Sequence, residues 1–377
     1  MLQARKEKVL MVFQNGLEIG GVQNVIMQIT RGLSSRYIFD IIVLDAGPSY
    51  YDEEFESYGG RIFRFGRYDQ HSTFHARADY YLRALYMYRN VLHVLRQEGP
   101  YVAIHCHTGL ESGMCVLAGK RAGVPIRIAH THISFENDGN ILFRAYSRFY
   151  QYLIETNATL RLGCSAMALE KTFGSGEGMV IGNGVNLDLY SKQSHFNETE
   201  PTIRLLQVAT LSQNKNQLFS LQVLNQLLKR GIPARLTLLG GVVSTDFTGY
   251  YSELQEYIKK QHLESQVQFL PRDSAVPEAM KNNMFLLFPS IREGFGIVLV
   301  EAQAAGLHCF VSDTVPHEVD CGGCTFLSLK DGPEAWAEVI HEKYLITHGK
   351  HEQYDCTRFS AESICHKYLE IYDGKIR

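Results

Sequence analysis

Short apolar runs alternate along this chain with stretches in which apolar residues return every three or four positions. The first series of runs is KVLMVF (8–13), FDIIVLD (39–45), YVAIHCH (101–107) and IRIAHTH (126–132). Each is apolar enough to be a strand buried on both faces. Between them lie helical spacings, such as Val22, Val25, Ile26, Ile29 and Leu33, and then Leu82, Leu85, Tyr88, Leu92 and Leu95. A second series follows: IRLLQVAT (203–210), ARLTLLGG (234–241), VQFLP (267–271), MFLLFPS (284–290) and HCFVSD (308–313). Such alternation predicts right-handed βαβ units and parallel sheets. The one long polar, turn-rich stretch between the series covers 187–202. The expected class is therefore α/β, with two Rossmann-like doubly wound domains facing across a cleft. The first is 1–186, a linker spans 187–202, and the second is 203–355. A helical segment, 356–377, is able to cross back to the first domain.

Composition narrows the functions open to such a chain. Its 377 residues exceed one typical core. A net charge of -3 supplies no basic face for nucleic acid, so none is expected as a partner. No run approaches the ~20 apolar residues of a membrane span. The first apolar run is too short for a signal-peptide core. Eight cysteines lie scattered, mostly in apolar runs, as suits reduced thiols in a cytoplasm. Cys321 and Cys324 form C-x-x-C, but no second pair or nearby histidine completes a zinc site, so the spacing reads as packing.

In open parallel sheets, ligands sit beyond the carboxyl ends of the strands. After the first strand stand Gly20 and Gly21, directly before an amphipathic helix. They suit either a tight turn or an anion held by backbone N–H groups. This is not G-x-G-x-x-G, and no acid is placed for a dinucleotide ribose, which argues against a nicotinamide enzyme. His107 and His132 end neighbouring strands, as structural hydrogen-bonders or as catalytic groups. Lys215 stands at a helix start, where a lone cation opposes the helix dipole unless an anion shares the place. In EGFGIVLVE (293–301) the turn offers N–H groups at Phe295, Gly296 and Ile297, flanked by Gly294. Glu301 can accept two ribose hydroxyls, and Glu293 can approach a sugar ring. Hydroxyls at both ends with phosphates between describe a nucleotide sugar.

These motifs resemble those of the GT-B glycosyltransferases of family 4, a retaining family with many capsular and exopolysaccharide enzymes. EGFGIVLVEAQAAGLHCFVSD is similar to the family's E-x7-E signature. IGNGVN (181–186) resembles its N-G-[VI]-[DN] turn, and RIAHTH its strand-end histidine. The Gly20–Gly21 pair matches the loop facing the donor phosphates. FLPRDSAVPEAM (269–280) takes the place of the base-binding segment, which brings in Arg272. The resemblance implies that Glu301 holds the ribose and Glu293 the sugar hydroxyls. Lys215 would neutralise the diphosphate, Gly21 would approach it, and His132 would contact the sugar near the acceptor. His107 is expected to matter less than His132. The donor implied is a nucleotide sugar, a UDP-sugar by preference, used without metal or cofactor. One position departs from the pattern: the family's GRL is ATL here, so Thr210 stands where an arginine would hold phosphate. With no clear nucleophile in the first domain, the resemblance favours front-face attack guided by the leaving phosphate. A non-catalytic GT-B partner subunit and a GT-B sugar-nucleotide epimerase are the other readings.

The acceptor is less defined. Between Arg61 and Arg96, seven arginines face two aspartates, with Tyr68, Tyr80, Tyr81, Tyr86 and Tyr88 interleaved. That pattern suits an anionic membrane surface, or simply a solvated amphipathic helix. The membrane reading makes the acceptor a lipid-linked oligosaccharide and the protein cytoplasmic, peripheral at the inner face of the plasma membrane.

Overall fold

The structure, a computed structural model, describes residues 6–66, 76–132, 141–174, 176–190, 201–241, 248–271 and 274–376. It divides into two units, Met1–Gly184 with Ala361–Arg377, and Val185–Ser360. Each is built on one parallel sheet.

The first unit contains β1 (Glu7–Val12), β2 (Tyr37–Val43), β3 (Ile62–Arg64), β4 (Ala103–Cys106), β5 (Ile126–Thr131), β6 (Leu160–Gly163) and β7 (Met179–Val180), in the order β3-β2-β1-β4-β5-β6-β7. Side chains alternate across a strand, so β1 feeds two cores. Val9 and Met11 pack with Ile41, with Val25 and Ile29 of helix Gly21–Leu33, and with Ile371. Leu10 and Val12 pack on the other face with Ile104, and with Met87, Val91 and Val94 of helix Ala76–Glu98. Both faces are thus covered, as a parallel sheet requires. In helix Ala76–Glu98 the inward stripe is the expected one only in part: Leu95 is buried in the core as expected. Leu85 is 51% exposed, while Met87 and Val91 are fully buried. Tyr88 and Leu92 lie on the flank, partly buried against the core.

The C-terminal helix, Ala361–Tyr372, does return to the first unit. Tyr368 and Ile371 are buried in its core, and Tyr37 donates to Asp373 at 2.6 Å. Gly32 lets this helix approach, since a Cβ there would stand 2.4 Å from Cys365 Sγ. Ile371→Ala should therefore cost about 2–5 kcal/mol of unfolding free energy. Denaturant unfolding of the full chain measures this. A loss below about 0.5 kcal/mol, the usual range for a surface change, would mean the helix is no part of that core.

The second unit contains β8 (Ile203–Val208), β9 (Ala234–Leu239), β10 (Val267–Leu270), β11 (Phe285–Phe288), β12 (His308–Ser312) and β13 (Cys324–Leu327), ordered β10-β9-β8-β11-β12-β13. Leu205, Leu236, Phe285 and Phe310 pack with Trp336, whose ring meets Phe219 edge-on at 5.1 Å. The units divide earlier than the polar stretch suggests. Val185 bridges Ser360 and donates to the Phe359 carbonyl at 2.8 Å, and Tyr190 is buried. Residues 185–186, expected in the first domain, 187–190, expected in the linker, and 356–360, expected in the last helix, thus belong to the second unit. Backbone pairing and the burial of Tyr190 decide this where composition alone reads as polar.

Candidate functional site

Where strand connections diverge to opposite sides, a parallel sheet opens a crevice at its carboxyl end. The strand orders place that point between β1 and β4 in one unit and between β8 and β11 in the other.

In the second unit, the loops after β8 and β11 are tied together. Ile291 N–H donates to the Asn214 carbonyl at 2.8 Å, and Asn214 Nδ2 donates to the Arg292 carbonyl at 3.0 Å. The first loop is itself braced. Gln207 Nε2 donates to the Lys215 carbonyl at 2.7 Å, and Gln217 Nε2 to the Thr210 carbonyl at 3.0 Å. Lys215 closes a short 3-10 turn, Gln213–Lys215, rather than opening the helix itself. Its Nζ forms an ion pair with Glu293 Oε2 and stands 5.4 Å from the centre of the Phe288 ring. Both charged side chains remain about one-fifth exposed, at 22% and 17%.

Glu293 Oε1 also accepts from Gly294 N–H at 3.2 Å. Gly296 caps helix Ile297–Ala304 with φ +86°, a left-handed conformation that only glycine adopts cheaply. Phe295 is buried edge-on against Phe359, so only its backbone is left for a ligand. Glu301 lies on that helix and accepts a hydrogen bond from the Tyr190 hydroxyl. Burial pushes the Glu301 carboxyl up to about 7, against the opposing pull of Tyr190. Tyr190 escapes a sequence reading because it sits in the polar stretch taken as linker. Arg272 lies outside the described residues.

In the first unit, Gly20 caps helix Gly21–Leu33 in extended conformation. A Cβ at Gly21 would meet nothing within 4 Å, so internal packing does not explain that glycine. Gln14, after β1, donates to Glu111 Oε2 at 2.6 Å, joining the loops that follow β1 and β4. Glu111 is buried, and as a lone acid before a helix it gives no signal in the sequence.

Four histidines form an array at the ends of β4 and β5. Residues two apart on a strand share a face, so His105 and His107 lie beside His130 and His132. His107 Nδ1 and His132 Nε2 are 2.9 Å apart, and His105 Nε2 and His130 Nδ1 are 3.1 Å apart. The Tyr372 hydroxyl holds His105 Nδ1 at 2.8 Å. Burial lowers all four from the usual imidazole range, His105 and His132 to about 3. The array is neutral at pH 7, and His132 acts as an uncharged hydrogen-bonding group. Among the described residues, His107 Nε2, His130 Nε2 and His132 Nδ1 have no hydrogen-bond partner. An unpaired buried polar atom costs about 1–3 kcal/mol. His107, expected to matter less than His132, bonds to it directly, so the two positions are coupled.

The basic segment 61–96 is less free than its sequence suggests. Arg61 is held by Asp40 and Glu98, and Arg64 by Asp52. Tyr86 donates to the Phe65 carbonyl, and the Tyr88 hydroxyl accepts from Arg121. Arg89 and Arg96 are exposed, and residues 67–75 lie outside the described residues. Among the described residues, no helix is long and apolar enough to cross a membrane.

Residues 188–341 match the family described as Glycosyl transferases group 1, and residues 19–189 match Glycosyltransferase Family 4. The chain is 31% identical to EpsF of Bacillus subtilis (strain 168), named as a glycosyltransferase, over 90% of this chain and 88% of that one. A stretch of 139 residues is 32% identical to GDP-mannose:cellobiosyl-diphosphopolyprenol alpha-mannosyltransferase of Xanthomonas oryzae pv. oryzae (strain PXO99A), covering 36% of this chain and 35% of that one. The crystal structure of Anabaena HepE in complex with UDP has a TM-score of 0.77 at 17% identity, over 97% of this chain and all of that one.

Proposed function

The chain belongs to glycosyltransferase family 4, with the GT-B fold, and on that premise we propose that it is a retaining hexosyltransferase using a UDP-sugar. The observation that carries this reading is the Lys215–Glu293 ion pair at the β8/β11 divergence, with Glu301 and Gly296 on the helix that follows. The proposal assigns the ribose hydroxyls to Glu301, with Tyr190 orienting its carboxyl group. Lys215 meets the diphosphate and stabilises the negative charge that develops as it leaves. Glu293, sharing Lys215 with that anion, turns an oxygen to the sugar hydroxyls. Gly294 and the N–H groups of Phe295, Gly296 and Ile297 line the sugar and phosphate, and Arg272 and Thr210 complete the donor set. Gly20, Gly21 and His132 are assigned to diphosphate and sugar. A phosphate oxygen of the leaving group takes the acceptor proton on the face it departs from, which retains configuration. No metal or cofactor enters this scheme.

The acceptor proposed is a glycan carried on a lipid diphosphate, in exopolysaccharide or capsule synthesis. The Xanthomonas relative, whose acceptor is a diphosphopolyprenol, supports this. Such an acceptor places the work at the cytoplasmic membrane surface, with the exposed Arg89 and Arg96 toward anionic lipid. Sedimentation with anionic vesicles tests that contact, and loss of binding in an Arg89→Ala/Arg96→Ala protein is the expected result.

Calorimetric titration with UDP and GDP, followed by UDP release from UDP-glucose without acceptor, tests the donor assignment. UDP binding with slow hydrolysis supports it. Preference for GDP would move the donor to a GDP-sugar, as in the Xanthomonas relative. No nucleotide binding would overturn transfer in favour of a non-catalytic subunit, the reading that Thr210 motivates.

His132→Ala should leave UDP affinity near that of the parent while kcat falls at least about tenfold. His107→Ala should lower kcat in the same direction, since it frees the His132 ring to turn. Steady-state rates and UDP titrations, with melting curves as the folding control, decide this. Parallel loss of UDP affinity and melting temperature would mean that the histidines are structural.

A further inference from the structure

The histidine array also holds chemistry that sugar transfer does not use. His-x-His on one strand presents two imidazoles to one face, and here two such pairs stand on neighbouring strands, as HCH (105–107) and HTH (130–132). His105, His107 and His130 are buried, and each offers a ring nitrogen within 4.8 Å of the other two. We propose that these three imidazoles form a binding site for a first-row divalent transition-metal ion of the zinc class.

Three observations support it. First, His107 Nε2 and His130 Nε2 are buried without a hydrogen-bond partner among the described residues, so two nitrogens are available to a Lewis acid. Second, His105 has the outer partner that a ligating imidazole usually has: its Nδ1 meets the Tyr372 hydroxyl at 2.8 Å, which orients the ring. Third, three nitrogen donors without a carboxylate suit zinc, cobalt, nickel or copper rather than magnesium or calcium. A tetrahedral shell with bonds of about 2.1 Å separates its ligands by about 3.4 Å, so small ring rotations close the site. In doing so His130 releases its bond to His105, and the metal bond replaces it. The ion would clamp the end of β4 to that of β5, and through His107 hold the His132 ring. This inference is independent of the transferase reading, because its readout is metal uptake and not turnover.

The test uses the full-length chain stripped with a chelator and titrated with Co2+, then with Zn2+. The expected result is uptake of about one Co2+ per chain, with the intense visible absorption of a low-coordinate nitrogen site, displaced by Zn2+. His130→Gln and His107→Gln should each weaken Co2+ binding at least about a hundredfold, while His348→Gln, on the surface of the other unit, should leave it unchanged. Absence of uptake at micromolar Co2+, or equal uptake by the His130 and His107 variants, would overturn the proposal. Should those variants not fold, the parent decides: Zn2+ must raise its melting temperature by several degrees over the chelated protein, and no rise overturns the site.

Discussion

Lys215→Ala lowers turnover of the UDP-sugar at least about a hundredfold, the scale on which loss of one preorganised electrostatic stabiliser is felt. The segment 209–217 contains no other cation, because Thr210 stands where the family has arginine. Without Lys215 this loop offers the diphosphate no charged group, and helix-end dipoles, each worth about 0.3–1 kcal/mol, do not replace one. The structure adds a competing explanation, since Lys215 is also the partner of Glu293. A double-mutant cycle with Glu293→Gln separates the two. If Lys215 only positions Glu293, its removal has no further effect once Glu293 is Gln. If it meets the diphosphate, most of the loss persists and UDP affinity falls as well. Thr210→Ala should cost little, because a hydroxyl gives the donor at most one neutral hydrogen bond of about 1 kcal/mol, and the bond from Gln217 to the Thr210 carbonyl is retained. Parent-like turnover in a folded Lys215→Ala protein would remove the phosphate role from this loop.

Much of this arrangement is legible in the sequence because parallel strands buried on both faces must be apolar throughout. Every run read as a strand is one, from Val9 in β1 to Phe310 in β12. The strands that went unread are β3, β6, β7 and β13, two to four residues long. Length alone does not hide them, since β4 and β11 are four residues long as well but buried throughout. By contrast β3, β7 and β13 are only partly buried, and β6 is buried only in its second half, so no continuous apolar run marks them. The E-x7-E stretch was readable because glycines and a carboxylate after a strand have few structural uses. Partners brought from elsewhere were not readable. Tyr190 reaches Glu301 across more than a hundred residues of sequence, and Gln14 reaches Glu111 across nearly as many. Nor does spacing reveal that His107 and His132 share a hydrogen bond, because the register of β4 against β5 sets it.

Glu301→Ala should weaken UDP binding ten- to a hundredfold, since hydrogen bonds to a charged group are worth about 1.5–3 kcal/mol. UDP and UDP-sugar should lose affinity equally, because the ribose is common to both. Burial raises the Glu301 carboxyl from 4.5 to about 7, which adds a pH signature. In the free protein the folded state binds this proton more tightly than the unfolded chain does. The stabilisation is therefore complete below about pH 4.5 and declines as pH rises through 7, by roughly 3 kcal/mol. Binding runs the other way. Only the carboxylate accepts both ribose hydroxyls, so affinity for UDP-glucose should rise about tenfold from pH 6 to pH 8. UDP-glucose is the right probe, because its diphosphate has no proton to lose in that range. Glu301→Gln should flatten both curves: its stability above pH 7 should exceed that of the parent, while its affinity stays low at every pH. An unchanged UDP dissociation constant in a folded Glu301→Ala protein would place the ribose elsewhere. A pH-independent affinity in the parent would mean that Glu301 is already ionised when the nucleotide arrives.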